Sequence, residues 1–338
     1  MEIKIKINNV LCTSLDAMRG EVQEDVVNFL VEWYNDQPAI IGHTSGSTGV
    51  PKPISLLKRD MQTSARLTNQ FLGLDERSTL LLCLSPSYIA GKMMIVRAIE
   101  AEAHLIVVSP SSTPLCDINT PITMAAMVPM QVAETLRCAD GQKQLANVTQ
   151  LLVGGAPVDE DLERQLVVLP TITYVTYGMT ETVSHVALRR VGEISYTAIG
   201  DVAFTTDSRS CLVIDAPQLS GRRFITNDVV ELIDGFRFKW LGRYDNVIMS
   251  GGLKFCAEQL EEKIAHLLPE RFYITAAPDE RLGQHVVLMI EGQAYTDDRL
   301  RQLREDMSQC LTRYEMPREI RFLERFQETS SGKVKRLR

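Results

Sequence analysis

Between His43 and Ile54 the chain reads HTSGSTGVPKPI, with two glycines, two serines, two threonines and a lysine in twelve residues. Gly46 and Gly49 admit backbone angles closed to most other residues. Successive N–H groups in such a loop can converge into a concave anion site. Thr44, Ser45, Ser47 and Thr48 add hydroxyl donors, and Lys52 adds a positive charge. The stretch suits phosphate, yet it lacks the Gly-x-x-x-x-Gly-Lys-Ser/Thr spacing of the common NTPase loop. A flexible Gly/Ser linker is the plain alternative. A linker needs neither Pro51-Lys52-Pro53 nor an apolar strand before it.

Three further stretches carry chemistry. TYGMTETVSH, residues 176–185, offers Glu181 as the hard oxygen ligand that Mg²⁺ takes. Thr180 and Tyr177 in the same stretch could meet a nucleotide and its phosphate, although the stretch also reads as an ordinary turn and cap. In TNDVVEL, Asp228 can accept hydrogen bonds from two ribose hydroxyls. Arg243, in LGRYDNVIMSGGLKF, offers a fork of donors nearby. A surface ion pair explains both residues equally well. TSSGKVKR, residues 329–336, is a basic tail that taken alone is most simply solvated.

These residues need elements to hold them. Residues 22–33, VQEDVVNFLVEW, place Val22, Val26, Val27, Phe29, Leu30 and Trp33 at helical spacing. PAIIGHT reads as a strand running into the first loop. Strand-like runs follow at STLLLCLS, HLIVVSP, MAAMV, VTQLLVGG and TITYVTYG, with helical patterns between them at residues 59–71 and 159–166. That alternation predicts a mainly parallel sheet with helices on both faces. Ligands of such sheets bind beyond the C-terminal strand ends. The loop after AII, GGAP after QLLV and YGMTET after TITYV are all expected there. From about Arg209 the texture is β-rich, with an Asp234-Gly235 hairpin turn. A small α+β unit of about 95 residues is expected from residue 243 to 338, after a larger domain of residues 1–242.

The totals narrow the class. With 338 residues there is room for a large core and two or more domains. A net charge of −7 weakly disfavours a nucleic-acid binder. No apolar run approaches the roughly 20 residues of a membrane span, and the N-terminus, MEIKIKINNV, reads as a strand and not as a signal peptide. Seven dispersed cysteines without a Cys-x-x-Cys pair suggest a reducing compartment, hence a cytoplasmic protein. The five histidines do not cluster, so a His/Cys metal site is not expected.

Taken together, TSGSTGVPK, GGAP, YGMTET, TND, GRYDN…SGG and SSGK stand in the order found in AMP-forming acyl-CoA synthetases. The chain resembles that superfamily, which includes peptide-synthetase adenylation domains and luciferases, over about residues 40–336. LLVGGAPV, YGMTETVSH and the short C-terminal domain are most similar to its o-succinylbenzoate–CoA ligases of menaquinone biosynthesis.

The resemblance implies ATP, Mg²⁺ and coenzyme A as cofactors and a carboxylic acid as substrate. It matches Thr44 to Lys52 to the segment around the β- and γ-phosphates. It matches Thr180 to the α-phosphate contact, and Glu181 with Thr44 to the Mg²⁺ site. Gly154, Gly155 and Ala156, with Tyr177 and Gly178, match the adenine side. Asp228 and Arg243 match the ribose binders. Lys333 matches the lysine bridging carboxylate and α-phosphate. Asp245 matches the hinge of a mobile C-terminal domain. Ser85, Tyr88, Gly91 and Arg97 fall in the acyl-pocket segment. Of the cations there, Arg97 is the first choice and Lys92 the second for the second carboxylate of o-succinylbenzoate.

The chain departs from the superfamily pattern in places. About 40 residues precede the first loop where well over a hundred are usual, so an N-terminally shortened member is expected. Tyr88-Ile89 stands where many relatives have an aromatic–His pair. TND replaces the commoner Thr-Gly-Asp, Cys256-Ala257 replaces a frequent proline, and no Pro-Lys precedes SSGK. Three rivals stay open: another aryl- or acyl-CoA ligase or stand-alone adenylating enzyme, a non-catalytic nucleotide-binding homologue and, more remotely, a P-loop kinase. SPSYIAG lacks the acidic residue an amino-acid activator needs. The residues leave the oligomeric state open, a homo-oligomer included.

Overall fold

The computed structural model describes residues 4–8, 10–14, 18, 20, 22–43, 52–116, 118–328 and 334–337. The chain forms two compact units, Met1–Ala203 with Asp215–Arg223, and Phe204–Ile214 with Phe224–Arg338. Packing therefore groups residues 224–242 with the C-terminal elements. The division expected from the sequence falls instead at 242/243, between residues 1–242 and 243–338.

In the first unit, strands β1 (Ile5–Ile7), β2 (Val10–Cys12), β5 (Thr79–Leu82), β6 (His104–Val107), β7 (Ile122–Met127), β8 (Val148–Val153), β9 (Ile172–Gly178), β10 (His185–Arg190) and β11 (Tyr196–Ala198) lie in the order β11-β10-β9-β8-β7-β5-β6-β1-β2. The run from β1 to β9 is parallel apart from β2, and β10 and β11 turn antiparallel. Helices α1 (Glu24–Tyr34), α2 (Lys58–Leu72) and α3 (Ile89–Glu100) cover one face, and α4 (Pro129–Arg137), α5 (Gly141–Ala146) and α6 (Glu160–Val167) the other. Strand alternation produces this split. Leu80, Leu82 and Leu152 join the core under α1–α3, while Leu81, Cys83, Leu151 and Val153 join the core under α4–α6.

The strand before the first loop, β3 (Ala39–His43), is not in this sheet. It pairs antiparallel with β4 (Pro53–Leu57) as a separate two-stranded ribbon, Ala39 opposite Leu57 and His43 opposite Pro53. The phosphate-type loop therefore connects the arms of a hairpin and does not lead from a parallel strand. Its apolar lead-in, Ala39-Ile40-Ile41, cannot distinguish the two, because a short apolar run fits either kind of strand.

The second unit holds most of β12 (Ala203–Thr206), β13 (Cys211–Ala216) and β14 (Arg222–Asp234) and all of β15 (Arg237–Arg243), in that spatial order, the last pair turning at Asp234-Gly235. Beyond them β16 (Val247–Ser250), β17 (Leu253–Cys256), β18 (Phe272–Asp279), β19 (Gly283–Glu291) and β20 (Glu319–Leu323) form a five-stranded sheet. Helices α7 (Ala257–Ile264) and α8 (Asp297–Cys310) pack on it through Leu260, Ile264, Leu303 and Met307. Thr296 caps α8 by accepting from the Arg299 N–H, as its place before the Asp297-Asp298 start suggests.

Candidate active site

At the C-terminal ends of β8 and β9 the backbone is fitted closely. A Cβ on Gly154 would lie 2.1 Å from Thr176 Oγ1, so only glycine lets the two strand ends approach. Gly155 follows with φ +85°, and Ala156 is exposed beside it. A Cβ on Gly178 would lie 2.4 Å from the Ser184 carbonyl oxygen. Between these residues the chain makes a tight reversal. The Ser184 N–H donates to the Thr182 carbonyl at 2.7 Å, and Val183 carries φ 68° and ψ −50°. That is a γ-turn with a β-branched residue in a strained conformation. Thr182, fully buried, holds it: its hydroxyl accepts from the Met179 N–H at 3.0 Å and lies 2.8 Å from the Ser184 carbonyl.

The reversal sets the motif's side chains. Thr180 and Glu181 lie in one short 3₁₀ turn, both half-buried. No hydrogen bond or ion pair engages the Glu181 carboxylate among the described residues. An accessible carboxylate without a partner fits a hard divalent cation. The Tyr177 ring packs on Tyr196 with centroids 5.7 Å apart.

The segment from Ser85 to Arg97 sits where β5 runs into α3. A Cβ on Gly91 would meet the Ser85 carbonyl oxygen at 2.3 Å, so this glycine lets the helix start lie against the loop. The Ser85 hydroxyl accepts from the Ser87 N–H at 3.2 Å, and Tyr88 stands 71% exposed. The two cations differ sharply. Lys92 Nζ is 2.9 Å from Glu32 Oε2 and lies over the Phe29 ring, so its charge is already matched. Arg97 is 2% exposed and has no carboxylate partner among the described residues. Its guanidinium donates to Ser184 Oγ at 2.7 Å, and its Nε has no partner. Burial pulls the Arg97 pKa down to about 10, which leaves it charged at neutral pH.

Asp228 and Arg243 belong to the second unit, where the β14–β15 ladder sets them opposite each other. Arg243 donates to Asp228 Oδ1 at 3.3 Å, Trp240 Nε1 donates to the same oxygen at 3.2 Å, and Arg243 also reaches Asp245 at 3.5 Å. The ion pair and a polar rim that could take ribose hydroxyls are thus one arrangement. Lys52 is exposed at the loop exit. Thr44, Ser45, Gly46, Ser47, Thr48, Gly49 and Lys333 lie outside the described residues. Nothing in the sequence pattern assigns a role to Ser184, His185 or Glu32. Only the fold brings Glu32 to Lys92, across 60 residues.

Comparison with known proteins fits these features. The AMP-binding enzyme family model matches residues 8–217. The chain belongs to the AMP-binding enzyme family. This AMP-binding enzyme is 35% identical to an acyl-CoA synthetase (AMP-forming)/AMP-acid ligase II-like protein from Dyadobacter fermentans, with 94% of this chain and 93% of that one aligned and a TM-score of 0.65. It is 24% identical to the 2-succinylbenzoate–CoA ligase of Lactococcus lactis, over 92% of this chain and 72% of that protein. It is 26% identical to a probable 2-succinylbenzoate–CoA ligase of Mycobacterium tuberculosis, over 90% and 84%. The fold also matches the o-succinylbenzoate coenzyme A synthetase of Bacillus subtilis solved with ATP and magnesium, at 20% identity and a TM-score of 0.71, over 87% of this chain and 68% of that one.

Proposed function

We propose that this AMP-binding enzyme is an acid–CoA ligase that converts o-succinylbenzoate, ATP and CoA to o-succinylbenzoyl-CoA, AMP and pyrophosphate, a step of menaquinone biosynthesis. The observation that carries the choice of acid is Arg97, a buried cation without a carboxylate of its own. A buried charge is retained when something pairs with it. An acid with two carboxylates leaves one free for that pairing while the other reacts. Lys92, neutralised by Glu32, is not available for the task. The relatives named as 2-succinylbenzoate–CoA ligases support the same acid.

In the first half-reaction a carboxylate oxygen attacks the α-phosphorus of ATP, and the bond to the bridging oxygen of pyrophosphate breaks. The carboxylate is ionised at neutral pH, so no base is required. Positioning and charge stabilisation are what the protein supplies. Mg²⁺, held by Glu181 with Thr44, would neutralise phosphate charge. Thr180 addresses the α-phosphate, and residues 44–52 hold the leaving pyrophosphate. Gly154, Gly155, Ala156, Tyr177 and Gly178 line the adenine side, and Asp228 with Arg243 takes the ribose. Ser85, Tyr88 and Gly91 shape the acyl entrance. Lys333 bridges carboxylate and α-phosphate. In the second half-reaction the CoA sulfur attacks the acyl carbon and AMP leaves. We assign residues 243–338 as a lid that pivots near Asp245 between the halves. The proposed setting is the cytoplasm, where the seven cysteines, all free, stay reduced. Among the described residues no helix is long and apolar enough to cross a membrane.

The test separates the half-reactions. Lys333→Ala is expected to slow pyrophosphate release with o-succinylbenzoate by about 100-fold or more while leaving CoA transfer from preformed acyl-adenylate near the wild-type rate. Wild-type adenylation in that variant contradicts the assignment. No pyrophosphate release by the wild type with any aromatic, fatty or amino acid contradicts the ligase reading itself.

A further inference from the structure

Arg97 touches little that could hold it. Ser184 Oγ, 2.7 Å from its guanidinium, is its one side-chain hydrogen-bond partner among the described residues. A hydroxyl has one hydrogen and two lone pairs. To accept from Arg97 well, Ser184 must send its own hydrogen elsewhere. His185 Nδ1 faces it at 3.5 Å. Whether that nitrogen can accept depends on the tautomer, and the other end of the ring decides it. His185 Nε2 lies 3.0 Å from Thr68 Oγ1, while the Thr68 hydroxyl donates to the Ser64 carbonyl at 3.0 Å, both on α2. With its hydrogen committed there, Thr68 can only accept from Nε2. The proton therefore stays on Nε2, and Nδ1 is left as an acceptor.

We infer that His185 is a positioning residue for the acid's free carboxylate, fixing the Ser184 hydroxyl so that it holds Arg97 in place. The chain of donors runs from Arg97 to Ser184 to His185 Nδ1, and from His185 Nε2 to Thr68 to Ser64. Two backbone features support a purposeful arrangement. The strained γ-turn at Val183 aims Ser184 and His185 in succession. Gly178 lets the His185 backbone pass within a distance no other residue permits, 2.6 Å from its would-be Cβ to the His185 Cα. The relay works only with a neutral ring. Burial and the nearby Arg97 charge both push the His185 pKa well below the usual imidazole value. This inference rests on the assignment of Arg97 to the acid.

Asn and Gln substitutions separate the two ring nitrogens. In His185→Asn the amide oxygen can stand near the place of Nδ1 and keep the acceptor. In His185→Gln the amide can reach Thr68 but leaves Ser184 without its partner. Steady-state kinetics with o-succinylbenzoate should show the Gln variant with KM raised about tenfold and kcat within about twofold of wild type, and the Asn variant restored most of the way. With 4-oxo-4-phenylbutanoate, which lacks the ring carboxylate, both variants should match wild type. In an Arg97→Met background His185→Gln should add nothing further. Equal loss in the Asn and Gln variants, an effect on kcat alone, or full additivity with Arg97→Met overturns the inference. Should the Gln variant not fold, Thr68→Val tests the other end of the relay, where an unchanged KM is the contrary result. Arg97→Met with an unchanged KM would defeat the assignment of Arg97 itself, a failure visible before any His185 variant is made.

Discussion

Arg97, buried in the first unit, and Arg336, half-buried in the second, are both guanidiniums set against the protein interior, and their surroundings differ completely. Arg336 makes a two-pronged contact with Glu261 at 2.5 and 2.9 Å, donates to the Ile274 carbonyl at 2.9 Å, and has Glu258 at 3.7 Å. Burial lowers its pKa, but the two glutamates outweigh that and leave it raised. Arg97 has one hydroxyl and an unpartnered Nε, with burial alone acting on it. A half-buried cation with two carboxylates is a structural fastening. It ties the chain just after residue 333 to α7 and β18 and completes its own electrostatics. A buried cation with none is incomplete, and the missing partner is a property the ligand must bring. Lys92, five residues before Arg97 on the same helix, is of the first kind, because Glu32 completes it.

This contrast can be broken at either end. The largest effect is expected at the fastening. Glu261→Ala leaves the half-buried Arg336 beside a single, more distant carboxylate and should lower unfolding free energy by about 2 kcal/mol, read by denaturant titration, with the loss centred on the second unit. No measurable loss would mean that the pair is ornamental.

A middle-sized effect is expected from His185. Its folded pKa is depressed, so below the unfolded value of about 6.5 the unfolded chain binds the proton more readily. Stability due to this group is therefore fully present above that value and falls as pH drops from 6.5 towards 5. The slope is at most about 1.4 kcal/mol per pH unit. His104, lowered by burial and by Lys6, acts in the same direction. The wild type should lose stability over this window more steeply than His185→Asn, and equal slopes would contradict a neutral ring.

The smallest effect is the most telling about Arg97. Replacing an unpaired buried cation by an apolar side chain of similar length removes a desolvated charge. Arg97→Met should leave the melting temperature unchanged or raise it, by the equivalent of about 1 kcal/mol. A clear drop would make Arg97 a second fastening.

Much of this was legible in the sequence, for a physical reason. Period-2 and period-3.6 patterns are local, so the parallel core strands, α1, α2, α6 and the Asp234-Gly235 hairpin follow from spacing alone. The family resemblance rests on short segments at strand ends, where backbone conformation demands particular residues such as Gly154 and Gly178. What the sequence could not supply was pairing over distance. Ile40 and Ile41 look the same in a parallel strand or a ribbon arm. Glu32 reveals itself as the partner of Lys92 only when α1 and α3 lie together. Arg97 and Lys92 looked alike as candidates on one helix, and only burial and partners tell them apart. Ser184 and His185 were in plain view, but nothing local ties either to Arg97 or to Thr68, more than eighty residues earlier in each case.

The central claim is that Arg97 lacks a partner because the acid supplies one. It is tested most directly by the ratio of kcat/KM for o-succinylbenzoate to that for 4-oxo-4-phenylbutanoate, in the wild type and in Arg97→Met. The account predicts a wild-type preference of about 100-fold, the worth of one buried charge pair, collapsing to near unity in the variant through loss of the o-succinylbenzoate rate alone. A preference that survives the substitution would contradict it.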